Sequence, residues 1–586
     1  MEYKLHYSKP EFIHLEKLKE QNQHPDFNPY EINELQLYNP IYSRFFEMND
    51  SNYQKIALNH PYHMKDLYTV VKENGEDSKD KNVFIKFSPL LDPYRYMIGK
   101  YDVENDNIRK LPKLISKEQE PESHPKLLSP NNTSYVDCFF TYLSSVMKNS
   151  FGFENGIDFY GSYLGIQEKY KVALSDDMEY LQNSRFFNEN LGKLFHVKDN
   201  YESIMNELSG YCGSRKNKIK LCFESEGEDN QLEIPCIEIE NIDDEPEELD
   251  ISIDTISTIE TVYNKSSKHN VSSASSTSNS SNNSELNYSS DEEDILEDIT
   301  LSSEQVNELS DDDDDDESIE TGSISGSSSS SSCSSSSEEE VYGFIDNFPI
   351  QMICMEQCDG TFDQLLEKDK IDEKSGCSAL FQVIMILLTY QRVFHFTHND
   401  LHTNNIMYVK TDKPFLYYMF EGIVYKVPTY GKIYKLIDFG RAIYKYSNKT
   451  FCSDSFGPGG DASTQYNCEP FFNEKKPRLE PNFSFDLCRL GTSMYDFMME
   501  IDDDISEYDD LQKIVREWCL DDNGKNVLYL KNGQERYPSF KLYKMIARSV
   551  HKHTPEAQLQ RPFFAKYKME EPMPENEILF SIDRFC

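Results

Sequence analysis

The chain has 586 residues, and its 103 Asp and Glu residues outnumber its 59 Lys and Arg residues, which gives a formal net charge of −44. This acidity argues against a nucleic-acid partner, because phosphate backbones are bound by Lys and Arg. The 13 cysteines lack C-x-x-C pairs, the N-terminus lacks an apolar signal region, and the most apolar run (379–388) is too short to span a membrane, so we expect a soluble intracellular protein with reduced thiols.

The first predicted strand follows a polar and aromatic segment, residues 1–60, to which the sequence assigns no role. The run 81–87 (KNVFIKF) predicts a β-strand with Lys86 near its end. A lysine in this position is commonly an edge residue whose ammonium group reaches water.

A helix and two strands are predicted next. Residues 134–147 place apolar side chains at helical spacing, and Asp137 is the only carboxylate among them. One interpretation of Asp137 is an acidic residue that interacts with the helix dipole. Residues 157–166 and 170–174 alternate in polarity and predict two antiparallel strands.

The composition changes at about residue 241. The segment 241–340 holds 28 acidic residues and only 2 lysines, together with long serine runs, and it has too few apolar residues to form a core. We expect a disordered insertion, which a folded lobe tolerates because the cost of loop closure grows slowly with length. Its serines beside acidic clusters resemble sites for an acidophilic kinase, and a solvated tether is the alternative.

Several elements are predicted beyond the insertion. Residues 348–356 predict a strand followed by a turn at Gly360, and residues 378–394 predict a buried helix. Residues 417–426 and 432–437 predict a hairpin, and the polar, glycine-rich stretch 444–466 predicts a mobile segment.

Two short motifs carry the chemistry. The first (398–405, HNDLHTNN) places Asp400 and Asn405 five residues apart, and the second (436–442, LIDFGRA) places Asp438 directly after a strand. Carboxylate and amide oxygens are ligands for hard divalent cations, and a carboxylate beside a hydroxyl can accept its proton. By composition alone, the first motif is equally a turn rich in Asn and Asp.

In this order the two motifs resemble the catalytic loop and the metal-binding loop of the protein-kinase superfamily. The resemblance extends over about 80–570 without the insertion. It implies that Asp400 is the catalytic base, that Asn405 and Asp438 bind Mg²⁺, and that Lys86 contacts the α- and β-phosphates of ATP. It also implies that Asp137 is the partner of Lys86.

The resemblance assigns further residues to the nucleotide site. Met355 would be the gatekeeper, Glu356 and Cys358 would contact the adenine through their backbone, and Asp363 would complete the site. In the run 484–495, Asp486 would hold the backbone of the catalytic loop, or it would merely cap a helix.

The chain departs from the kinase pattern in several places. No glycine precedes Gly75, so the glycine-rich loop that covers phosphates is missing before Lys86. Either another loop covers the nucleotide, with the segment 59–61 as a candidate, or nucleotide binding is weak. Asn399 stands where many kinases have the arginine that pairs with a phosphorylated activation segment, so we do not expect that switch. His402 stands where Ser/Thr kinases commonly have a lysine. The arrangement H-x-D-L-H that results also occurs in small-molecule kinases.

The sequence therefore predicts an α+β, bilobal protein-kinase-like fold with a small β-rich N-lobe and a mainly helical C-lobe. We divide it into an N-terminal extension (1–60), the N-lobe (61–240), the disordered acidic insertion (241–340), the end of the N-lobe with hinge and C-lobe (341–570), and a C-terminal tail (571–586).

The predicted function is transfer of the ATP γ-phosphate, with Mg²⁺, to Ser or Thr hydroxyls of a protein substrate. A pseudokinase scaffold and a small-molecule kinase of the aminoglycoside or choline type are the alternatives. The motifs and insertions are similar to those of kinases encoded by giant DNA viruses of amoebae, which implies a protein of the host cytoplasm or the virion.

Overall fold

The computed structural model describes residues 5–9, 15, 18, 27–72, 77–78, 81–114, 122–174, 178, 181, 183–197, 341–499 and 505–585. All of them belong to one structural unit, formed by residues 1–212 and 337–586. The predicted disordered insertion, 241–340, lies outside the described residues.

The described residues form a mixed α+β structure. Its strands are β1 (Tyr7–Ser8), β2 (Ile32–Gln36), β3 (Ala57–Leu58), β4 (Tyr62–Met64), β5 (Val70–Lys72), β6 (Asp77–Ser78), β7 (Val83–Pro89), β8 (Phe159–Ala173), β9 (Phe195–Val197), β10 (Tyr342–Glu356), β11 (Gly360–Thr361), β12 (Ile406–Lys410), β13 (Phe415–Phe420), β14 (Ile423–Pro428), β15 (Lys432–Leu436), β16 (Ile443–Tyr446), β17 (Lys449–Cys452) and β18 (Leu579–Ser581). Its helices are α1 (Pro93–Met97), α2 (Pro125–Leu128), α3 (Thr133–Phe151), α4 (Arg185–Asn190), α5 (Phe362–Glu367), α6 (Glu373–Phe394), α7 (Phe485–Met498), α8 (Asp510–Trp518), α9 (Lys541–Ser549), α10 (Pro555–Gln558) and α11 (Pro562–Ala565).

The largest sheet is antiparallel and has the order β2-β8-β10-β7, with β9 also pairing with β10. Strand β10 is its centre, pairing with β8 along almost its whole length and with β7 through Lys86 and Ile353. The prediction of two strands at 157–166 and 170–174 is wrong, because β8 continues through both. Nothing between them forms a turn, and β10 supplies backbone partners throughout.

Helix α3 includes the whole of the predicted helix 134–147 and packs against the largest sheet. Asn132 caps its N-terminus, and Gly152 ends it in the left-handed region with φ 78°. In the first turn, the hydroxyls of Ser134 and Ser88 lie 2.8 Å apart, which fixes α3 against β7. One turn later, Asp137 therefore faces the strand that carries Lys86.

Helix α6 is the core of the part that follows β10. It begins at Glu373, earlier than predicted, because Asp372 and Ser375 form a capping box. The helix is long and apolar enough to cross a membrane, but 89% of its most apolar window is buried inside the protein. This burial is what a core helix of a folded domain shows.

The predicted hairpin of 417–426 with 432–437 is wrong. Strands β13 and β14 form the hairpin instead, and Glu421 and Gly422 turn between them with positive φ angles of 51° and 72°. Such a two-residue turn matches the twist of paired strands. Strand β15 pairs with β12, which joins the end of the first motif to the start of the second.

Two segments predicted to lie outside regular structure contain strands. Within the predicted mobile segment 444–466, the chain forms the hairpin β16–β17. Within the predicted tail 571–586, strand β18 pairs in parallel with β13. The N-terminal extension likewise contributes β2 to the largest sheet.

Asn155 joins the loop after α3 to the core of the chain. Its amide nitrogen donates to the Tyr434 carbonyl at 2.9 Å and to Gln382 Oε1 at 3.2 Å, and its Oδ1 accepts from the Tyr418 hydroxyl at 2.6 Å. The side chain is fully buried. Asn155 thus satisfies polar groups of α6, β13 and β15 together.

We expect Asn155→Ala to lower the free energy of unfolding by about 2–4 kcal/mol, because several buried polar groups lose their partner. Tyr418→Phe leaves only Asn155 Oδ1 unpaired and should cost about 1–2 kcal/mol. Chemical denaturation of the full-length protein measures both changes. Equal costs for the two variants would contradict this account of the Asn155 contacts.

Candidate functional site

Lys86 joins three elements through two carboxylates. Its Nζ lies 2.7 Å from Asp137 Oδ2 on α3 and 2.9 Å from Asp438 Oδ1 in the second motif. The other oxygen of Asp137 accepts the Phe439 amide at 2.8 Å, so Asp137 contacts both the lysine and the backbone of the motif. The pairing of Lys86 with Asp137 that the resemblance implied is present.

The charges of this cluster perturb one another. Burial alone would lower the pKa of Lys86, but Asp137 and Asp438 outweigh it and hold the pKa above its ordinary value. Lys86 lowers the pKa of Asp438, whereas burial raises the pKa of Asp137. Asp137 is 1% exposed and the Asp438 side chain is 48% exposed, so Asp438 is the carboxylate that faces solvent.

Asp486 fixes the backbone of the first motif. Its two carboxylate oxygens each accept a backbone N–H at 2.8 Å, one from His398 and one from Asn399. This is the contact predicted for Asp486. Asp486 makes no side-chain cap at the start of α7, so the alternative prediction of a helix cap is wrong.

Asn399 has an internal role at the position where many kinases have arginine. It is fully buried with φ 62°, and its amide donates to the Arg441 carbonyl at 3.0 Å while its Oδ1 accepts from the Tyr466 hydroxyl at 2.8 Å. A side chain held inside the protein is not available to bind a phosphate. The absence of a phosphorylation switch through residue 399 stays a prediction.

Asp400 is held by groups that the sequence did not indicate. The Tyr543 hydroxyl donates to Asp400 Oδ1 at 2.7 Å, and Arg441 lies 3.6 Å from Oδ2. Arg489 Nε in turn donates to the Tyr543 oxygen at 2.9 Å. Burial raises the pKa of Tyr543, which keeps its hydroxyl a donor. Arg489 thus donates to Tyr543, and Tyr543 donates to Asp400.

Asn405 and Asp438 are brought together by a strand pair. Ile406 of β12 pairs with Leu436 of β15, and the Asn405 carbonyl accepts the Ile437 amide at 3.1 Å. The Asn405 amide nitrogen donates to the Asp400 carbonyl at 2.9 Å, and its Oδ1 has no hydrogen bond within the described residues. The amide oxygen of Asn405 and the exposed carboxylate of Asp438 are therefore both available as ligands.

The predicted hinge residues differ in what they offer a ligand. Met355 is buried beside Phe84. The Glu356 N–H is already donated to the Asp158 carbonyl at 3.0 Å, so it is not offered to a nucleotide. The backbone of Cys358 makes no hydrogen bond in the part of the chain that the structure describes. Asp363 accepts a short hydrogen bond from Thr403, which ties α5 to the first motif.

The Glu356 side chain belongs to a buried charge network that the sequence analysis missed. It lies 2.8 Å from Lys148 Nζ and 2.5 Å from Lys435 Nζ, and Lys148 also contacts Asp158 at 2.9 Å. Burial lowers the pKa of Lys435, which is 1% exposed. No spacing signal links these residues, since they come from four separate elements.

Within the described residues, no strand pairs with the outer edge of β7, the strand that carries Lys86. Strand β7 is an edge strand within the described residues, and Phe84 on it is 51% exposed. The segment 59–61 does not lie there, because His60 contacts Ser145 and Ser150 on the second half of α3. At 1.5 Å per helical residue, Ser145 is roughly 12 Å beyond Asp137.

The comparisons with known proteins assign no family. No protein-family model matches the chain. An uncharacterized protein of Invertebrate iridescent virus 6 is 30% identical over 145 residues, which are 24% of this chain and 23% of that protein. The match thus spans less than a quarter of the relative's own length.

We expect a double-mutant cycle of Tyr543→Phe and Asp400→Asn to give a coupling free energy of about 1–2 kcal/mol, because Tyr543→Phe removes the hydrogen-bond donor and Asp400→Asn removes the charge of its acceptor. Chemical denaturation of the four proteins measures it. The same cycle with Asp412→Asn, an exposed carboxylate in the loop after β12, is the matched control and should be additive. Additive costs for Tyr543 and Asp400 would contradict the contact.

Proposed function

We propose that the protein is an ATP-dependent protein kinase that transfers the γ-phosphate to Ser or Thr hydroxyls. The observation that carries the proposal is the convergence of Lys86, Asp137 and Asp438 beside the loop that contains Asp400 and Asn405. In this proposal, the sheet around β10 together with α3 is the N-lobe, and the elements around α6 and α7 are the C-lobe.

The residues present fit a magnesium–nucleotide complex. Mg²⁺ is usually held by one or two protein oxygens together with substrate phosphates, so it needs no dedicated cage of side chains. The Asp438 carboxylate and Asn405 Oδ1 suit it, and the described residues contain no group of three or more metal-ligating His, Cys, Asp or Glu side chains. When bound, Mg²⁺ would neutralise the charge that develops on the phosphates.

Each site residue has a task in this mechanism. Lys86, positively charged between two carboxylates, orients the α- and β-phosphates of ATP. Asp400 orients the acceptor hydroxyl and takes its proton as the hydroxyl oxygen bonds to the γ-phosphorus and the bond from that phosphorus to the β–γ bridging oxygen breaks, which releases ADP. Asp486 keeps the loop in place, since both its oxygens accept backbone N–H groups there. The available backbone of Cys358 is the candidate contact for the adenine edge.

Tyr543 acts on Asp400 as a positioning residue in this proposal. A hydroxyl that donates to one carboxylate oxygen fixes the rotamer of Asp400, while the second oxygen, 3.6 Å from Arg441, is left to receive the substrate hydroxyl. Orientation of a base contributes to rate because the reacting atoms start close to the required geometry.

A pseudokinase scaffold is the second candidate, and two observations favour it. One of the two carboxylate oxygens of Asp400 is already engaged by Tyr543, and β7 is an edge strand within the described residues. A scaffold of this kind would keep the fold but transfer no phosphate.

The relative from an invertebrate virus supports the expected viral source and, with it, action in the host cytoplasm or the virion.

We expect Asp400→Asn to reduce phosphate transfer on the order of 10²–10⁴-fold, because the proton acceptor is lost. Transfer of radiolabelled γ-phosphate from ATP to generic Ser/Thr protein substrates measures it. Asp412→Asn removes an equal charge from an exposed loop and should retain the activity.

The same assay separates the alternatives. Transfer to small alcohols such as choline or an aminoglycoside, with none to proteins, would favour a small-molecule kinase. Equal turnover by the wild type and Asp400→Asn would exclude Asp400 as the base. If the wild type transfers phosphate to none of these acceptors, the result favours the pseudokinase scaffold.

A further inference from the structure

A second pocket lies away from the candidate site. Its volume is about 480 Å³, and it shares no residue with the cluster around Lys86 and Asp400. Its walls come from the β13–β14 hairpin, from the start of α6 and from the segment after α11. It is lined by Lys374, Phe415, Lys426, Pro428, Tyr430, Lys566, Tyr567, Lys568 and Met569.

The charge of this pocket is opposite to that of the chain. Four of its nine lining residues are lysines and none is acidic, in a protein with a net charge of −44. Within the described residues, no carboxylate lies at ion-pairing distance from any of the four ammonium groups. The acids beside Lys374 have other tasks, since Asp372 caps α6 and Glu373 accepts the Asp510 amide at 3.3 Å.

The pocket is built on a fixed backbone. The Lys426 amide donates to the Tyr567 carbonyl at 2.8 Å, and the Met569 amide donates to the Val424 carbonyl at 2.8 Å, so the segment after α11 extends the sheet beside β14. Tyr567 is buried and packs against Phe381 of α6, with ring centroids 4.7 Å apart. Two of the four lysines, Lys566 and Lys568, are thereby anchored to the core.

The lining indicates the chemistry of the ligand. Lysine ammonium groups are compact point charges that bind phosphate groups, and four of them line this pocket. One aromatic side chain is also available, since Tyr430 is 48% exposed, whereas Lys426 Nζ lies over the Phe415 ring, 4.1 Å from its centroid. The volume is in the range of small-molecule sites.

We propose that this pocket binds a small phosphorylated ligand that also carries a planar ring, such as a nucleoside diphosphate. The lysines hold the phosphates, and the exposed Tyr430 contacts the ring. The proposal does not depend on kinase activity, because none of its residues takes part in the candidate catalytic site.

Calorimetric titration of the full-length protein with ADP and with pyrophosphate, in EDTA, tests the proposal. Chelation removes the divalent cation that nucleotide binding at Asp438 and Asn405 requires. We expect both probes to bind, and the double variant Lys426→Glu, Lys568→Glu to weaken both on the order of tenfold or more, because attraction to phosphate becomes repulsion. Lys513→Glu with Lys531→Glu, an equal charge change at exposed sites elsewhere, should leave both affinities within about twofold.

The variant Tyr430→Leu tests the contact with the planar ring of the ligand. We expect this variant to weaken ADP several-fold and to leave pyrophosphate unchanged, since only ADP carries a ring. Equal losses of the two probes would overturn the ring contact. Equal affinities of the pocket variant and the control variant, or no binding of either probe to the wild type, would overturn the site. Circular dichroism and the melting temperature of each variant show that it is folded.

Discussion

The structure depends on one shared cation. Lys86 bridges a strand, a helix and a loop, because one carboxylate reaches it from α3 and another from the second motif. Without Lys86, the buried Asp137 would be an unpaired charge, and an unpaired buried charge costs several kcal/mol. The contact therefore stabilises the packing of α3 beside the loop of Asp438. It thereby also positions the exposed Asp438 carboxylate, which is available to a metal.

Asp400 and Asn405 are positioned by different means. Asp486 holds the backbone before Asp400, and the pairing of β12 with β15 holds Asn405 next to the second motif. The Asp400 side chain relies on a further distant element, through Tyr543 on α9. The backbone of the site is thus fixed by contacts that are independent of ligand, and the proposed base is oriented by the Tyr543 hydroxyl and the nearby Arg441.

The local features of this site could be predicted from the sequence, because each resides in a few consecutive residues. The helix that carries Asp137, the strand that carries Lys86 and the loop held by Asp486 all follow from short patterns. Contacts that depend on long-range register could not. Tyr543 lies 143 residues from Asp400 in an amphipathic helix that carries no motif.

The errors in the fold have the same origin. A polar stretch in the middle of β8 suggests a break, but the length of β10 keeps the strand continuous. The β13–β14 hairpin turns at Glu421 and Gly422, inside a run of alternating residues that by itself predicts one strand. In both cases, the choice of strand partner decides the structure, and a single strand's sequence does not specify its partner.

Magnesium-dependent binding of ATP to the wild type and to Lys86→Met tests the central claim most directly. A ligand at 100 times its dissociation constant stabilises the folded state by about 2.7 kcal/mol, so a rise in melting temperature reports it. We expect ATP to stabilise the wild type more when Mg²⁺ is present than when it is absent, Lys86→Met to lose this magnesium-dependent gain, and Lys513→Met, an exposed lysine of α8, to keep it. An equal magnesium-dependent gain in Lys86→Met, or none in the wild type, would contradict the claim that Lys86 and Asp438 form a nucleotide site.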